Sequence, residues 1–406
     1  MSTSQVNPAS REAGNRSAAI GMYGVLLLAY SVNSADRQLF PLLAHDVRLQ
    51  YGFSLSDTGL LTTIFTLGLA VAGLPTGYLL ARFSRKTVLL LGIAIFSTGT
   101  ALTILARGFP DMLVYLAATG IGEAMQLTVM IAIAANYFIG YRAAAIGSMN
   151  VFFGIGAFSG PILGGELLTS FQTWRAPMLA FGALGLVMIG VIALAVRPWF
   201  SETHRAAEAK ADVRGAASLL NRNTAILTIL SVIAGLVLYG FTGMYATYLR
   251  EALHYPPKAA GIVQSFYGFG ALLSIFGGWL GDRFPPRAVL SASFFAISCL
   301  GYLCFHGSEA IAPHIILTGL YGAIGSGTIY VNLAGYHVKA VRSSLSSRAS
   351  GMFVTSLYAA AAAAGYLMGG IAGHSGWAVA GEIQISLLSA VAVSLALTLK
   401  PERMSL

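Results

Sequence analysis

The sequence predicts an all-α membrane protein whose twelve transmembrane helices form two pseudo-symmetric six-helix bundles. Three observations predict it. Hydrophobic residues make up 56% of the 406-residue chain and charged residues only 10%, with a mean hydropathy of +0.73, whereas soluble domains carry about a quarter charged residues. Twelve apolar stretches each approach the ~20 residues that cross a bilayer. The basic loops after the second and eighth stretches resemble one another, which divides the chain into two like halves. Helices follow because every backbone polar group in hydrocarbon must be bonded within its own segment.

In chain order the stretches fall at roughly 18–41, 57–81, 86–106, 110–138, 142–168, 176–199, 224–249, 258–281, 287–306, 311–337, 348–373 and 376–398. The expected organisation is an N-terminal tail at 1–17, a first bundle at 18–199, a linker at 200–223, a second bundle at 224–398 and a C-terminal tail at 399–406. The linker, "FSETHRAAEAKADVRGAASLLNR", is the longest polar stretch. Of the 24 Lys and Arg residues, Arg48, Arg107, Arg175, Arg250 and Lys258 fall between odd and even stretches, and Arg37 falls within one. All the others lie on the side of the termini, so both termini are expected to be cytoplasmic and the membrane an inner, cytoplasmic one. Topology signalling and anionic lipid account for the net charge of +9 without any nucleic acid. The first seventeen residues are polar and the first stretch is long enough to stay in the membrane, so no cleavable signal peptide is expected. Cys299 and Cys304 stand five apart on one helix, too poorly aligned to bridge.

Two motifs carry a resemblance. "GYLLARFSRK", Gly77 to Lys86, recurs 201 residues later as "GWLGDRFPPR", Gly278 to Arg287. The paired loops resemble the signature of the major facilitator superfamily, with Ala81 in place of an Asp and Ser84 in place of a Gly in the first copy, while Asp282 and Arg283 keep the pattern in the second. The resemblance implies a 6+6 helical fold working by alternating access, gated through Gly77, Arg82, Arg85, Lys86, Gly278, Asp282, Arg283 and Arg287. The fifth stretch, "GSMNVFFGIGAFSGPILGG", places Gly156, Gly160, Pro161 and Gly164 in a spacing similar to a motif found mainly in that superfamily's proton-exchanging exporters. Small residues let helices approach and a proline loosens the backbone ladder; ordinary Gly-rich packing explains the same residues.

A buried charge in a membrane helix is costly and faces a cavity or a partner. In the first stretch Tyr30, Asn33 and Arg37 share one helical stripe, with Asp36 beside them. In the fourth, Tyr115, Thr119, Glu123 and Gln126 form a matching stripe. Together "ADR" in the first stretch and "GIGEA" in the fourth are similar to Spinster-like transporters and to anion:cation symporters of sugar acids and other organic anions. That resemblance implies that both stretches line a central cavity, that Asp36 and Glu123 bind protons, and that Arg37 pairs with them or with substrate, in one acid-base-acid cluster. Those branches commonly carry an Arg where this chain has Leu116. The alternative is that Asp36 and Arg37 are a boundary pair reaching to the outer interface, four residues from the helix end.

The second half offers uncharged groups: Thr242, Tyr245 and Tyr248, Gln264 and Tyr267, Tyr321, Thr328 and Asn332, and Tyr358. With Tyr30, Asn33, Arg37, Thr119 and Gln126, the expected substrate contacts are Tyr245, Gln264, Tyr267, Tyr321, Asn332 and Tyr358. Glu166 and Glu382 are expected to be solvated near the outer surface. "GHSG", Gly373 to Gly376, has the shape of an intramembrane protease motif but falls in a turn. The seven histidines lack ligand spacing, and no phosphate-binding loop or metal motif is present, so no enzyme, metal or cofactor is expected. Without a nucleotide-binding domain the energy source is an ion gradient. The resemblance implies a proton-coupled secondary transporter of a small organic anion or amphiphile, with protons, substrate and membrane lipids as partners and a monomer as the working unit. A proton antiporter exporting drugs or lipids is the alternative, and a non-transporting receptor or scaffold the third.

Overall fold

The computed structural model describes residues 8–138, 141–203 and 215–404, with side chains excluded at 8–15, 74 and 142–143. The expected tails and the 200–223 linker therefore lie partly outside the described residues. Among the described residues ten helices are long and apolar enough to cross a membrane, and the spans number twelve if each of two bent pairs is counted as one. In order these are α1 (Pro8–Tyr51), α2 (Leu55–Val71 with Pro75–Arg82), α3 (Arg85–Leu105), α4 (Phe109–Tyr137), α5 (Arg142–Phe171) and α6 (Arg175–Ala195). The second half comprises α7 (Arg222–Glu251), α8 (Pro257–Ala271 with Ser274–Arg283, bent by 40°), α9 (Pro286–His306), α10 (Ile311–Lys339), α11 (Ser346–Ser375) and α12 (Trp377–Leu397).

Local chemistry sets several of these ends. Ser54 and Asp57 open α2 with a reciprocal capping box, and Asn221 accepts from the Thr224 N–H at 3.0 Å to open α7. One boundary differs from the sequence reading. α1 does not stop near 41 but continues through Pro41 to Tyr51. Proline removes one ladder bond without ending a membrane helix when neighbouring helices enclose it. Asp36 and Arg37 therefore lie inside the helix and are buried, which removes the boundary-pair alternative.

The apolar core centres on each half, with Leu42, Leu55 and Leu69 of the first joining the cluster of the second. Phe96, Val129 and Phe200 belong to the first, and Phe241, Phe294 and Leu357 to the second. α6 and α12 turn Val187, Leu194, Leu387 and Leu397 outward, as helices facing acyl chains do. The halves meet where α2 lies against α11, α5 against α8, and α1 against α7. The repeat persists in three dimensions. Phe83 and Phe284, again 201 apart, both leave their helices in extended conformation after an arginine, and Arg82 and Arg283 each lie over the ring one turn back, Tyr78 and Trp279.

Ion pairs join the halves at the end remote from the termini. Arg250 grips both oxygens of Asp46, Arg48 lies 3.3 Å from Glu251, and Lys258 lies 2.8 Å from Glu166. Glu166 is thus exposed yet paired across the halves, where the sequence suggested solvation alone; Glu382 is exposed within α12. Nearer the middle, Thr63 Oγ1 donates to the Ala362 carbonyl at 3.0 Å.

Candidate functional site

A cavity of about 190 Å³ lies between the halves. Its first wall comes from α1, α2, α4 and α5, with Tyr30, Arg37, Gln38, Phe65, Asn150 and Phe153; its second comes from α7, α8, α10 and α11, with Tyr239, Thr242, Tyr267, Ser326, Tyr330 and Tyr358. Arg37 is the only Lys or Arg among its described lining residues.

The two polar stripes legible in the sequence meet here. Arg37 Nε donates to Asn33 Oδ1 at 3.0 Å, and Asn33 Nδ2 donates to Gln126 Oε1 at 2.9 Å. Glu123 Oε2 stands 2.9 Å from Arg37 Nε. Both partners of this ion pair are buried, at 7% and 1% exposure, so each needs the other, because a lone charge at this depth is expensive. The guanidinium keeps something in reserve: Arg37 Nη2 is buried without a hydrogen-bond partner.

Asp36 borders the same chamber as Arg37 and Glu123, but its hydrogen bond goes elsewhere. Its Oδ2 accepts from Thr100 Oγ1 of α3 at 2.6 Å, so it turns away from Arg37. A residue one position along a helix points about 100° away, which is why adjacent charges rarely share a partner. The two acids nevertheless border one side chamber of about 20 Å³, with Thr100, Leu116 and Thr119. A water needs about 10–15 Å³ by this measure, so the chamber has room for one. Arg37, Pro41, Thr62 and Phe65 border both spaces. Arg37 thus stands in the wall between an acidic chamber and the cavity.

In the second half the predicted contacts divide. Tyr267 and Tyr358 line the cavity, and Gln264 reaches it indirectly, donating to the Thr242 carbonyl at 3.2 Å and lying 3.5 Å from Gln38. Tyr245, Tyr321 and Asn332 do not line it. Tyr245 bonds His314 and stacks on Phe241, which also stacks on Tyr321 at 3.8 Å between centroids. Asn332 donates to the Gly277 carbonyl at 2.8 Å, holding α8 to α10. The physical reason is helical phase. Tyr245 lies six residues past Tyr239, a rotation of about 240° that carries it into the bundle core. In α10 a π-helical segment at Gly325–Tyr330 shifts the phase again and presents Ser326 and Tyr330 instead. The sequence reading missed Gln38, Asn150, Tyr239, Ser326 and Tyr330. Tyr239 was within reach, since it lies one turn before Thr242.

The predicted gating residues also divide. Arg85 donates to the carbonyls of Ser201 and Thr203, and Lys86 to those of Ala193 and Val196. Asp282 pairs with Lys339 at 2.9 Å. Gly77 has open space where a side chain would project, and Gly278 has only Val331 at contact distance; the tight approaches are at Gly277 and Gly281 instead. Arg287 is exposed. Gly156, Gly160 and Gly164 lie directly against Ser31, Ala35 and Leu39 of α1, and the Pro161 carbonyl lies against Gly261 of α8.

Comparison with known proteins agrees with the twelve-helix architecture. The Drosophila melanogaster protein spinster is 27% identical over 63% of this chain, and the match spans 43% of that protein's length, less than half of it. A gallate transporter of Pseudomonas putida is 24% identical over 84% of this chain and 81% of its own. Among solved structures, a bacterial homologue of the human lysosomal transporter Spinster, in an inward-facing and unoccupied conformation, superposes with a TM-score of 0.69 at 18% identity, covering 93% of this chain and 95% of that one; at that identity the likeness concerns the fold. The sequence profile of the Major Facilitator Superfamily matches residues 26–366 and again 227–405, and on that match and the twelve-helix architecture the chain belongs to this superfamily.

Proposed function

We propose that the protein is a proton-coupled secondary transporter of a small organic anion. Membership of the superfamily places it among membrane transport proteins rather than enzymes. The observation that carries the finer reading is Arg37, the one Lys or Arg among the described lining residues, whose Nη2 is buried with no hydrogen-bond partner, since guanidinium holds carboxylates in a two-pronged contact. A gallate transporter among the relatives is consistent with it, gallate being a carboxylate.

Coupling follows from charge balance. Arg37 at this depth needs one counter-charge, supplied by Glu123 at 2.9 Å when the cavity is empty. An arriving carboxylate takes over that role, and Glu123, now an acid without its cation, takes up a proton. Substrate and proton then bind together and cross together. Asp36, on the same small chamber, passes protons to Glu123 through one water. The cycle is alternating access by rocking of the halves about the α2–α11 and α5–α8 seams, in an inner membrane with both termini cytoplasmic, in a monomer whose halves are divided by the 200–223 linker. The glycines and Pro161 of α5, the basis for an export reading, pack closely on α1 and α8.

The test is transport in liposomes. Glu123→Gln fixes the neutral form, so uptake driven by a pH gradient is expected to vanish while substrate binding persists; Asp36→Asn is expected to slow the driven step. Two variants that respond to the gradient like the parent would exclude these acids from coupling.

A further inference from the structure

We infer that the central cavity takes an aromatic monocarboxylate, a planar ring bearing a single carboxylate. This deepens the organic-anion reading and rests on it.

Charge sets the number of carboxylates. Arg37 is the one cation among the described lining residues, and Leu127, Ile131, Met149 and Leu238 make much of the remaining wall apolar. A second carboxylate would be buried against that wall without a partner, which is strongly unfavourable.

Four of the lining hydroxyls are already occupied within the protein, which lowers what the cavity offers a polyhydroxylated acid. The Tyr330 and Tyr358 hydroxyls lie 3.1 Å apart in a hydrogen bond. Thr242 Oγ1 donates to the Leu238 carbonyl at 3.0 Å, and Thr62 Oγ1 to the Gly59 carbonyl at 2.7 Å. Each sugar hydroxyl brought into the cavity gives up water, and a hydroxyl without a replacement partner weakens binding.

What the cavity offers in quantity is aromatic surface. Tyr30 and Phe153 stand on one wall with centroids 6.4 Å apart. Across from them, Tyr239 lies 6.3 Å from Phe65 and 5.8 Å from Tyr358, the latter pair at 69°. Rings prefer offset or edge-to-face neighbours, and this inclined set presents both faces and edges to a guest ring. Tyr30, Tyr239 and Tyr358 line the same cavity as Arg37 and lie within electrostatic reach of its guanidinium, so a ring among them has its carboxylate near that cation.

The experiment is calorimetric titration of the purified full chain in lipid nanodiscs with benzoate, cyclohexanecarboxylate, glucuronate and benzene-1,3-dicarboxylate. Benzoate is expected to bind about ten-fold more tightly than each of the others. Tyr239→Leu and Tyr358→Leu are expected to reduce benzoate affinity by about ten-fold and cyclohexanecarboxylate affinity by less than about two-fold. Tyr239→Phe, which keeps the ring, retains the preference and controls for folding. Equal binding of cyclohexanecarboxylate, or tighter binding of glucuronate or the dicarboxylate, overturns the aromatic inference and leaves anion transport standing. Failure of every carboxylate to bind overturns both.

Discussion

Asn33 decides where the Arg37 guanidinium points. Its Oδ1 accepts from Arg37 Nε, and its Nδ2 is held in turn by Gln126, so a neutral pair of amides orients a charge that has an acid beside it. Asn33→Ala removes the hold but leaves the ion pair with Glu123. Carboxylate binding is expected to weaken by about ten-fold, equivalent to ~1.4 kcal/mol, with Gln126→Ala showing a smaller loss in the same titration. Affinity unchanged in both variants would mean that Glu123 alone sets the orientation. This constellation was legible in the sequence because a stripe at three- and four-residue spacing survives errors in helix boundaries. The hydrogen-bond partner of Asp36 was not legible for the opposite reason: Thr100 is a hydroxyl on α3 that nothing in the local pattern ties to it.

At the scale of elements, glycines mark two kinds of contact. Gly160 on α5 meets the Ala35 backbone of α1 within the first half, whereas Gly59 on α2 meets the Gly365 backbone of α11 across the halves. The added methyls of valine clash at both, but the consequences differ. Gly160→Val is expected to destabilise the fold by about 1–3 kcal/mol, the usual effect of overpacking, read as a lower melting temperature. Gly59→Val pries the halves apart at their seam, so its melting temperature stays nearer the parent's while a cysteine introduced at Asn150 is labelled faster from the end remote from the termini. If the two variants melt alike and label alike, the seam is not separable from the fold. The sequence indicated that α5 packs closely, though not against which helices. The π-helical turns at Gly325–Tyr330 and Gly381–Leu387 left no trace in it, since one extra residue per turn is a response to neighbours rather than to local composition.

At the scale of the whole molecule, the six-plus-six division was legible because duplication left two copies of one loop. The closure between the halves was not. Asp46, Arg48, Arg250 and Glu251 lie beyond or at the edge of the predicted spans, where they read as loop charges; only the extension of α1 to Tyr51 brings the first two opposite the end of α7. The pairs are partly exposed, so each contributes about 0.2–1 kcal/mol and weakens as salt rises. Asp46→Asn combined with Glu251→Gln is expected to increase labelling of the same cysteine from the remote end, and added salt is expected to move the parent in that direction. A double variant insensitive in this assay would assign the closure to the apolar seams. The clasp has one further property. It holds two positive and two negative charges, one of each sign from each half, so parting the halves moves no net charge. Membrane potential therefore gains little purchase on the closure itself, and any voltage dependence has to come from charges elsewhere, such as the buried Arg37, Asp36 and Glu123.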